Sequence, residues 1–194
     1  SGKTTLISRV FAELRRQNLV SATGFLTEEV REDCERRSRR IGFDVVLLEH
    51  PETRAPLARC ADVLTSIVPR SPKVGQYVVN VQSFEQLAVP CIQSVLEKLD
   101  SSPNSANQKP VICIIDEIGK MELLCPTFSN RLEKLLTRID QSENVILLAT
   151  VPSPRGSNDS RRGIRLVDEL CGHPRARLFE VSSDFAANPV IEFY

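Results

Sequence analysis

Val111-Ile112-Cys113-Ile114-Ile115 is an uninterrupted apolar run that stops at two adjacent carboxylates, Asp116 and Glu117. A strand without polar alternation is buried on both faces, and such strands belong to parallel sheets covered by helices above and below. Val145 to Ala149 is a second run of this kind, ending in Thr150-Val151-Pro152. Between them Pro126 opens a helical period through Phe128, Leu132, Leu135, Leu136 and Ile139, with proline where its missing N–H costs nothing. The alternation predicts an α/β fold with a parallel sheet flanked by helices, whose ligands sit at the carboxyl ends of the strands. Asp116 and Glu117 stand at such an end. Two carboxylates closing a buried strand carry an electrostatic cost unless a metal or a cation offsets it.

The chain opens on Ser1-Gly2-Lys3-Thr4-Thr5, followed at helical spacing by Leu6, Ile7, Val10, Phe11 and Leu14, with Arg9, Glu13 and Arg16 opposite. Gly-Lys-Thr entering a helix is the second half of the phosphate-binding pattern G-x-x-x-x-G-K-[ST]. In that pattern backbone N–H groups wrap the phosphates, the lysine reaches the β/γ-phosphates and the hydroxyl holds Mg²⁺. The first glycine of the pattern and the strand leading into it would precede Ser1, so the expectation is a P-loop domain cut before its first strand. Alone, Gly-Lys-Thr-Thr equally suits a plain helix start with an exposed lysine. The Asp116-Glu117 pair changes the balance. In a P-loop hydrolase an apolar strand ending in Asp supports Mg²⁺, and a following Glu orients or deprotonates the attacking water.

The rest of the chain adds a hairpin and connecting segments. Val20 to Val30 reads as a strand, the mixed-sign run Arg31 to Arg40 as a solvated turn, and Ile41 to Glu49 as the returning strand. No aromatic residues interleave those arginines, which argues against a nucleic-acid patch. Four prolines between residues 50 and 73 predict loop with short extended pieces. Gly75 to Val81 reads as a short strand, and Ser83 as the cap of a helix through Phe84, Leu87, Val95, Leu96 and Leu99 that Pro90 should kink or shorten. Ser101 to Pro110 is linker-like, Pro152 to Gly163 a basic loop, Ile164 to Leu170 a short helix and Arg177 to Val181 a last strand. The 194 residues read as one domain, 1–194.

Composition removes several classes of function. Twenty-five basic residues balance 25 acidic ones, so no global field draws the chain to nucleic acid or an anionic membrane. None of the six cysteines forms a C-x-x-C pair, and His50 and His173 lie at no ligand spacing from them, which argues against zinc. Cys113, inside an apolar strand, reads as a buried free thiol, and the set suits a reducing, intracellular and cytoplasmic setting. No apolar stretch reaches the roughly 18 residues that span a bilayer.

The stretch Ile114-Ile115-Asp116-Glu117-Ile118-Gly119-Lys120-Met121-Glu122-Leu123 resembles a signature of the small cancer-related nucleoside-triphosphatases. So do Gly24 to Arg31, Arg40 to Val46, Val74 to Val79 and Phe84 to Ala88, in the same order, over residues 1 to about 155. The resemblance implies a RecA-like P-loop enzyme that hydrolyses ATP, GTP and other nucleoside triphosphates to diphosphate and phosphate with Mg²⁺. It implies that Ser1, Gly2, Lys3, Thr4, Thr5, Asp116, Glu117, Ile118 and Gly119 bind the nucleotide, that Thr4 and Asp116 hold the metal, and that Lys3 and Glu117 are catalytic. Thr150 is either a sensor near the γ-phosphate or a strand-terminal residue bonded to backbone. Lys120 and Glu122 receive no role. Arg155, Arg161 and Arg162 either supply charge to the transition state or belong to a solvated loop. Two other classes share the motifs. A nucleotide kinase would need a second substrate pocket and an arginine-bearing lid, for which residues 50–73 and 152–165 are the candidates; a binding module without turnover would not need Glu117. The nucleoside triphosphate is the expected partner, and no oligomeric state is read from the sequence.

Overall fold

The computed structural model describes residues 2–34, 37–65, 70–101, 109–152, 164–181 and 188–193. Helix α1 (Gly2–Gln17) buries Ile7 and Phe11 and turns Arg9, Glu13 and Arg16 to solvent, as its 3.6-residue period requires. Arg15 and Arg16 in its last turn complement the carbonyl end of the helix. Asn18 follows at φ 53°, a left-handed conformation that asparagine tolerates and that ends the helix.

Strands β1 (Ser21–Cys34) and β2 (Arg37–Leu47) form the expected hairpin, but its arms run further than the charge pattern suggests. The run Arg31 to Arg40 is ladder for most of its length, with Arg31↔Arg40, Glu32↔Arg39 and Cys34↔Arg37 opposed across the hairpin. Opposite charges make this possible on a wet face: Glu29 accepts from Arg31 and, across the pair, from Arg40, each at 2.7 Å. Strand β3 (Arg54–Cys60) lies where the prolines predict loop. Its Pro56 stands at a register shift against Phe43/Asp44, the kind of irregularity where a strand tolerates proline. Strands β4 (Lys73–Val74) and β5 (Tyr77–Val79) turn around Gly75 at φ 58°, and β5 pairs with β3.

Helix α2 (Val81–Ser101) starts earlier than expected, because Asn80 rather than Ser83 is the cap: Asn80 Oδ1 accepts the Ser83 N–H at 3.0 Å. It continues unshortened through Pro90, which lies on the exposed face, where water can satisfy the carbonyl left without its usual partner. Strand β6 (Val111–Asp116), a four-residue helix α3 (Lys120–Leu123) and helix α4 (Pro126–Asp140) follow. Glu85 of α2 accepts the Thr127 N–H at 2.6 Å and the Phe128 N–H at 3.3 Å, so one helix caps the positive end of the other. Strand β7 (Val145–Thr150), helix α5 (Arg165–Gly172) and strands β8 (Ala176–Val181) and β9 (Asn188–Phe193) complete the described chain.

The sheet order is β4-β5-β3-β2-β1-β6-β7-β9-β8. Only β1-β6-β7 are mutually parallel; the wings on both sides are antiparallel, and β9, which the sequence pattern did not suggest, lies between β7 and β8. Alternate residues of the central strands feed two cores. Val111, Cys113 and Ile115 of β6 join Val145, Leu147 and Ala149 of β7 against α2 and α4, whereas Ile112 and Ile114 meet Ile7 and Phe11 of α1. Burying Ile7 and Phe11, at about 1.5–3 kcal/mol each, is what holds α1 on the sheet. On the opposite face Phe25, Phe84 and Phe128, from β1, α2 and α4, stack edge to face with centroids 5.0 to 5.9 Å apart. Gly24 permits β1 to approach β6. Its φ is 151°, and a Cβ there would stand 1.9 Å from the Ile114 carbonyl oxygen.

Candidate active site

The first turn of α1 meets the carboxyl end of β6. Asp116, 2% exposed, is the last residue of β6, and both of its oxygens are held: Oδ2 accepts from the Thr4 hydroxyl at 2.6 Å and Oδ1 from the Thr150 hydroxyl at 2.5 Å. The Thr150 hydroxyl is thus bonded to a carboxylate rather than to backbone, and it positions Asp116 from the end of β7. Lys3, buried at the helix start, forms an ion pair with Glu117. The chain beyond Glu117 is fastened to β7 by the Ile118 N–H, which donates to the Thr150 carbonyl at 2.8 Å.

Gly119 then places two carboxylates back to back. A Cβ at this residue would lie 2.9 Å from Glu117 Oε1 and 3.0 Å from Glu122 Oε2, so a side chain would displace one of them. Glu122 Oε2 accepts the Gly119 N–H at 3.0 Å. Burial pushes the Glu122 carboxyl up to about 8, the nearby charges of Glu117 and Asp116 add to this, and the N–H groups of Glu122 and Gly119 oppose it. The residue to which the sequence assigned no role is therefore a buried acid beside the proposed base.

These groups line one end of a cleft of about 410 Å³. Thr27, Glu29, Arg40, Phe43, Leu57 and Val74 line the hairpin end, and Lys120, Met121, Glu122 and Pro152 complete the wall. Among the described site residues predicted from sequence, the structure brings together Lys3, Thr4, Asp116 and Glu117. Gly2 and Thr5 sit in the same helical turn, with Thr5 facing solvent. Gly119 contributes its backbone, and the Ile118 side chain is packed in the apolar core. Ser1, Arg155, Arg161 and Arg162 lie outside the described residues. The hairpin residues were not singled out by sequence reasoning. The register supplies the missing signal: Leu26 pairs with Asp116, so whatever follows Leu26 on β1 overhangs the end of β6.

Thr4 Oγ1 and Asp116 Oδ2 form a pair of hard oxygen donors, the chemistry that Mg²⁺ prefers. Among the described residues no group of three or more His, Cys, Asp or Glu side chains could hold a metal by itself. The first turn of α1 has no acidic side chain, so its N–H groups remain available to an anion. No helix among the described residues is long and apolar enough to cross a membrane.

A helix opened by Gly-Lys-Thr-Thr, docked by its hydroxyl and its lysine onto a buried strand ending in Asp-Glu, defines a P-loop nucleotide-binding protein. The chain belongs to the NTPase_1 family, whose model, described as NTPase, matches residues 1–184. It is 38% identical over 187 residues to the human cancer-related nucleoside-triphosphatase, spanning 94% of this chain and 84% of that protein. The solution structure of a human cancer-related nucleoside triphosphatase superposes with a TM-score of 0.57 at 37% identity, covering 87% of this chain and 80% of that one. The crystal structure of THEP1 from Aquifex aeolicus gives 0.58 at 31% identity, covering 89% and 79%.

Proposed function

We propose that this chain, as a single domain, hydrolyses nucleoside 5′-triphosphates to diphosphate and phosphate with Mg²⁺, at the junction of α1 and β6. The observation that carries the reading is the double docking of α1: Thr4 on Asp116 at 2.6 Å and Lys3 on Glu117. With nucleotide present, Lys3 turns from Glu117 to the β/γ-phosphates, and the first-turn N–H groups face the same charge. Thr4 and Asp116 hold the metal, directly or through water. Mg²⁺ held there would supply positive charge to the phosphate end of the substrate. Glu117, 32% exposed at its side chain and released from Lys3, takes a proton from the attacking water. The Lys3–Glu117 ion pair holds both side chains at the mouth of the site, so substrate exchanges one partner of Lys3 for another. Glu122, held on Gly119, backs Glu117 from the buried side.

The test is phosphate and diphosphate release from Mg²⁺ complexes of ATP, GTP, CTP and UTP. Turnover of several of these, lost on chelating the metal, is expected. Nucleotide binding without diphosphate formation would refute the hydrolase reading in favour of a binding module.

A further inference from the structure

In-line phosphoryl transfer places the entering nucleophile opposite the leaving diphosphate. On the reading above, Lys3 and the first turn of α1 face the diphosphate and Glu117 faces the nucleophile. The remaining length of the cleft is therefore on the entering side, and it is far larger than hydrolysis requires. The whole cleft, its phosphate end included, holds about 410 Å³, against roughly 30 Å³ for one water molecule.

The far wall has the character of a binding surface for a flat ring. Phe43 meets Tyr77 edge to face at 5.2 Å, and the Arg40 guanidinium lies 5.1 Å over the Phe43 ring. Arg40 is oriented there, donating through Nε to the Tyr77 hydroxyl at 2.9 Å and through Nη1 to Glu29 at 2.7 Å. Leu57 and Val74 supply apolar contact in the same cleft. Thr27 lines it too, and its buried hydroxyl has no protein hydrogen-bond partner. Buried hydroxyls are almost always paired, so a ligand or water belongs at this one. Apolar and aromatic walls with a few fixed polar groups are how proteins take flat heteroaromatic molecules.

We propose that the hairpin end of the cleft binds a phosphoryl acceptor containing a nucleoside, and that this chain transfers the γ-phosphoryl group to the acceptor's 5′ oxygen, a hydroxyl in a nucleoside or a phosphate oxygen in a 5′-monophosphate. Water is the nucleophile when the acceptor is absent. The proposal rests on the assignment of Lys3 and Glu117 made above. In the transfer the acceptor oxygen bonds to the γ-phosphorus, and the bond from that phosphorus to the β–γ bridging oxygen breaks. The electron pair leaves on the nucleoside diphosphate; the proton of a nucleoside hydroxyl passes to Glu117, whereas an ionised 5′-phosphate oxygen attacks without one.

The experiment supplies Mg·ATP together with each of four common ribonucleosides or their 5′-monophosphates, and measures ADP, free phosphate and phosphorylated acceptor separately. With the right acceptor, ADP formation rises at least tenfold, free phosphate falls below about a tenth of the ADP, and phosphorylated acceptor makes up the difference. The nucleoside and monophosphate arms separate the two sources of the ring. Thr27→Val and Phe43→Leu each lower the ratio of transfer to hydrolysis at least tenfold; Thr27→Val keeps its shape and reports even if Phe43→Leu does not fold. Equal ADP and phosphate in every mixture would overturn the acceptor proposal and leave the hydrolase intact. Absence of ADP in all mixtures would instead overturn the hydrolase reading beneath it. Transfer that both variants leave unchanged would overturn the placement at the hairpin.

Discussion

Thr150→Val exchanges a hydroxyl for a methyl of nearly the same shape, at a residue with 0% exposure. Packing is conserved, so the substitution isolates one hydrogen bond: the 2.5 Å contact from Thr150 Oγ1 to Asp116 Oδ1. The acceptor is a buried carboxylate, and hydrogen bonds to charged groups contribute about 1.5–3 kcal/mol. Removing the donor also leaves Oδ1 of a carboxylate that is 2% exposed without that partner, which places the loss toward the upper end. For a chain of this length 1 kcal/mol corresponds to about 2–4 °C in Tm, so a fall of about 3–12 °C is expected. Urea unfolding should show a lower midpoint with an unchanged m-value, because the surface exposed on unfolding is the same. Thr4→Val removes the donor on Oδ2, and the double variant should depart from additivity by more than about 0.5 kcal/mol, since both hydroxyls serve one carboxylate. A Thr150→Val stability within about 0.5 kcal/mol of the parent, together with additive behaviour, would refute the claim that Asp116 is held from both sides.

Glu117→Gln should lower turnover about 10²- to 10⁴-fold while nucleotide affinity by calorimetry stays close to that of the parent; hydrolysis within threefold would remove Glu117 as the base. Lys3→Ala should weaken affinity and turnover together, because the ammonium faces phosphate charge in ground and transition states alike, and an unchanged Kd would contradict the phosphate role. Glu122 binds its proton more tightly folded than unfolded, so between about 4.5 and 8 the native state holds more protons and stability falls as pH rises. Glu122→Gln should cancel that contribution, gaining on the parent by at most about 1.4 kcal/mol per pH unit across this window; a difference independent of pH would argue against the shift. Gly24→Ala forces a methyl to within 1.9 Å of the Ile114 oxygen and should cost about 1–3 kcal/mol or more, measured by thermal unfolding; a neutral effect would show that β1 and β6 can separate freely.

The central strands and the helices beside them were legible because burial on both faces leaves a run that no other element explains, as in Val111 to Ile115. That Lys3 and Thr4 would meet Asp116 and Glu117 was legible because the two motifs put a helix start and a strand end at the same edge of the sheet. Pro56 misled, since the rule that keeps proline out of sheets has an exception at register shifts, and a shift depends on the partner strand. The charged arms of the hairpin misled for a similar reason: Glu29 and Arg40 look like a turn in one dimension and become neighbours only when β1 and β2 pair. Ser83 has the composition of a cap, but its own N–H is taken by Asn80 Oδ1, so the helix begins ahead of it. Glu122 and Thr150 owe their places to packing between elements distant in the chain, where no local pattern reaches.

Strand β6 is hydrogen-bonded along both edges, to β1 as far as Asp116 and to β7 as far as Ile115. Its amides have no route to solvent short of dismantling the sheet, so hydrogen exchange at Ile114, Ile115 and Asp116 tracks global unfolding. The hairpin beyond Val30 is paired only with itself in the described ladder, and Arg40 rides on that overhang, tied to β5 and β3 through the Tyr77 and Cys60 side chains rather than by backbone pairing. Its opening needs far less free energy than opening β6. One cleft therefore joins two thermal regimes, a chemical end that fails when the whole molecule melts and an arginine-bearing rim that loosens well before.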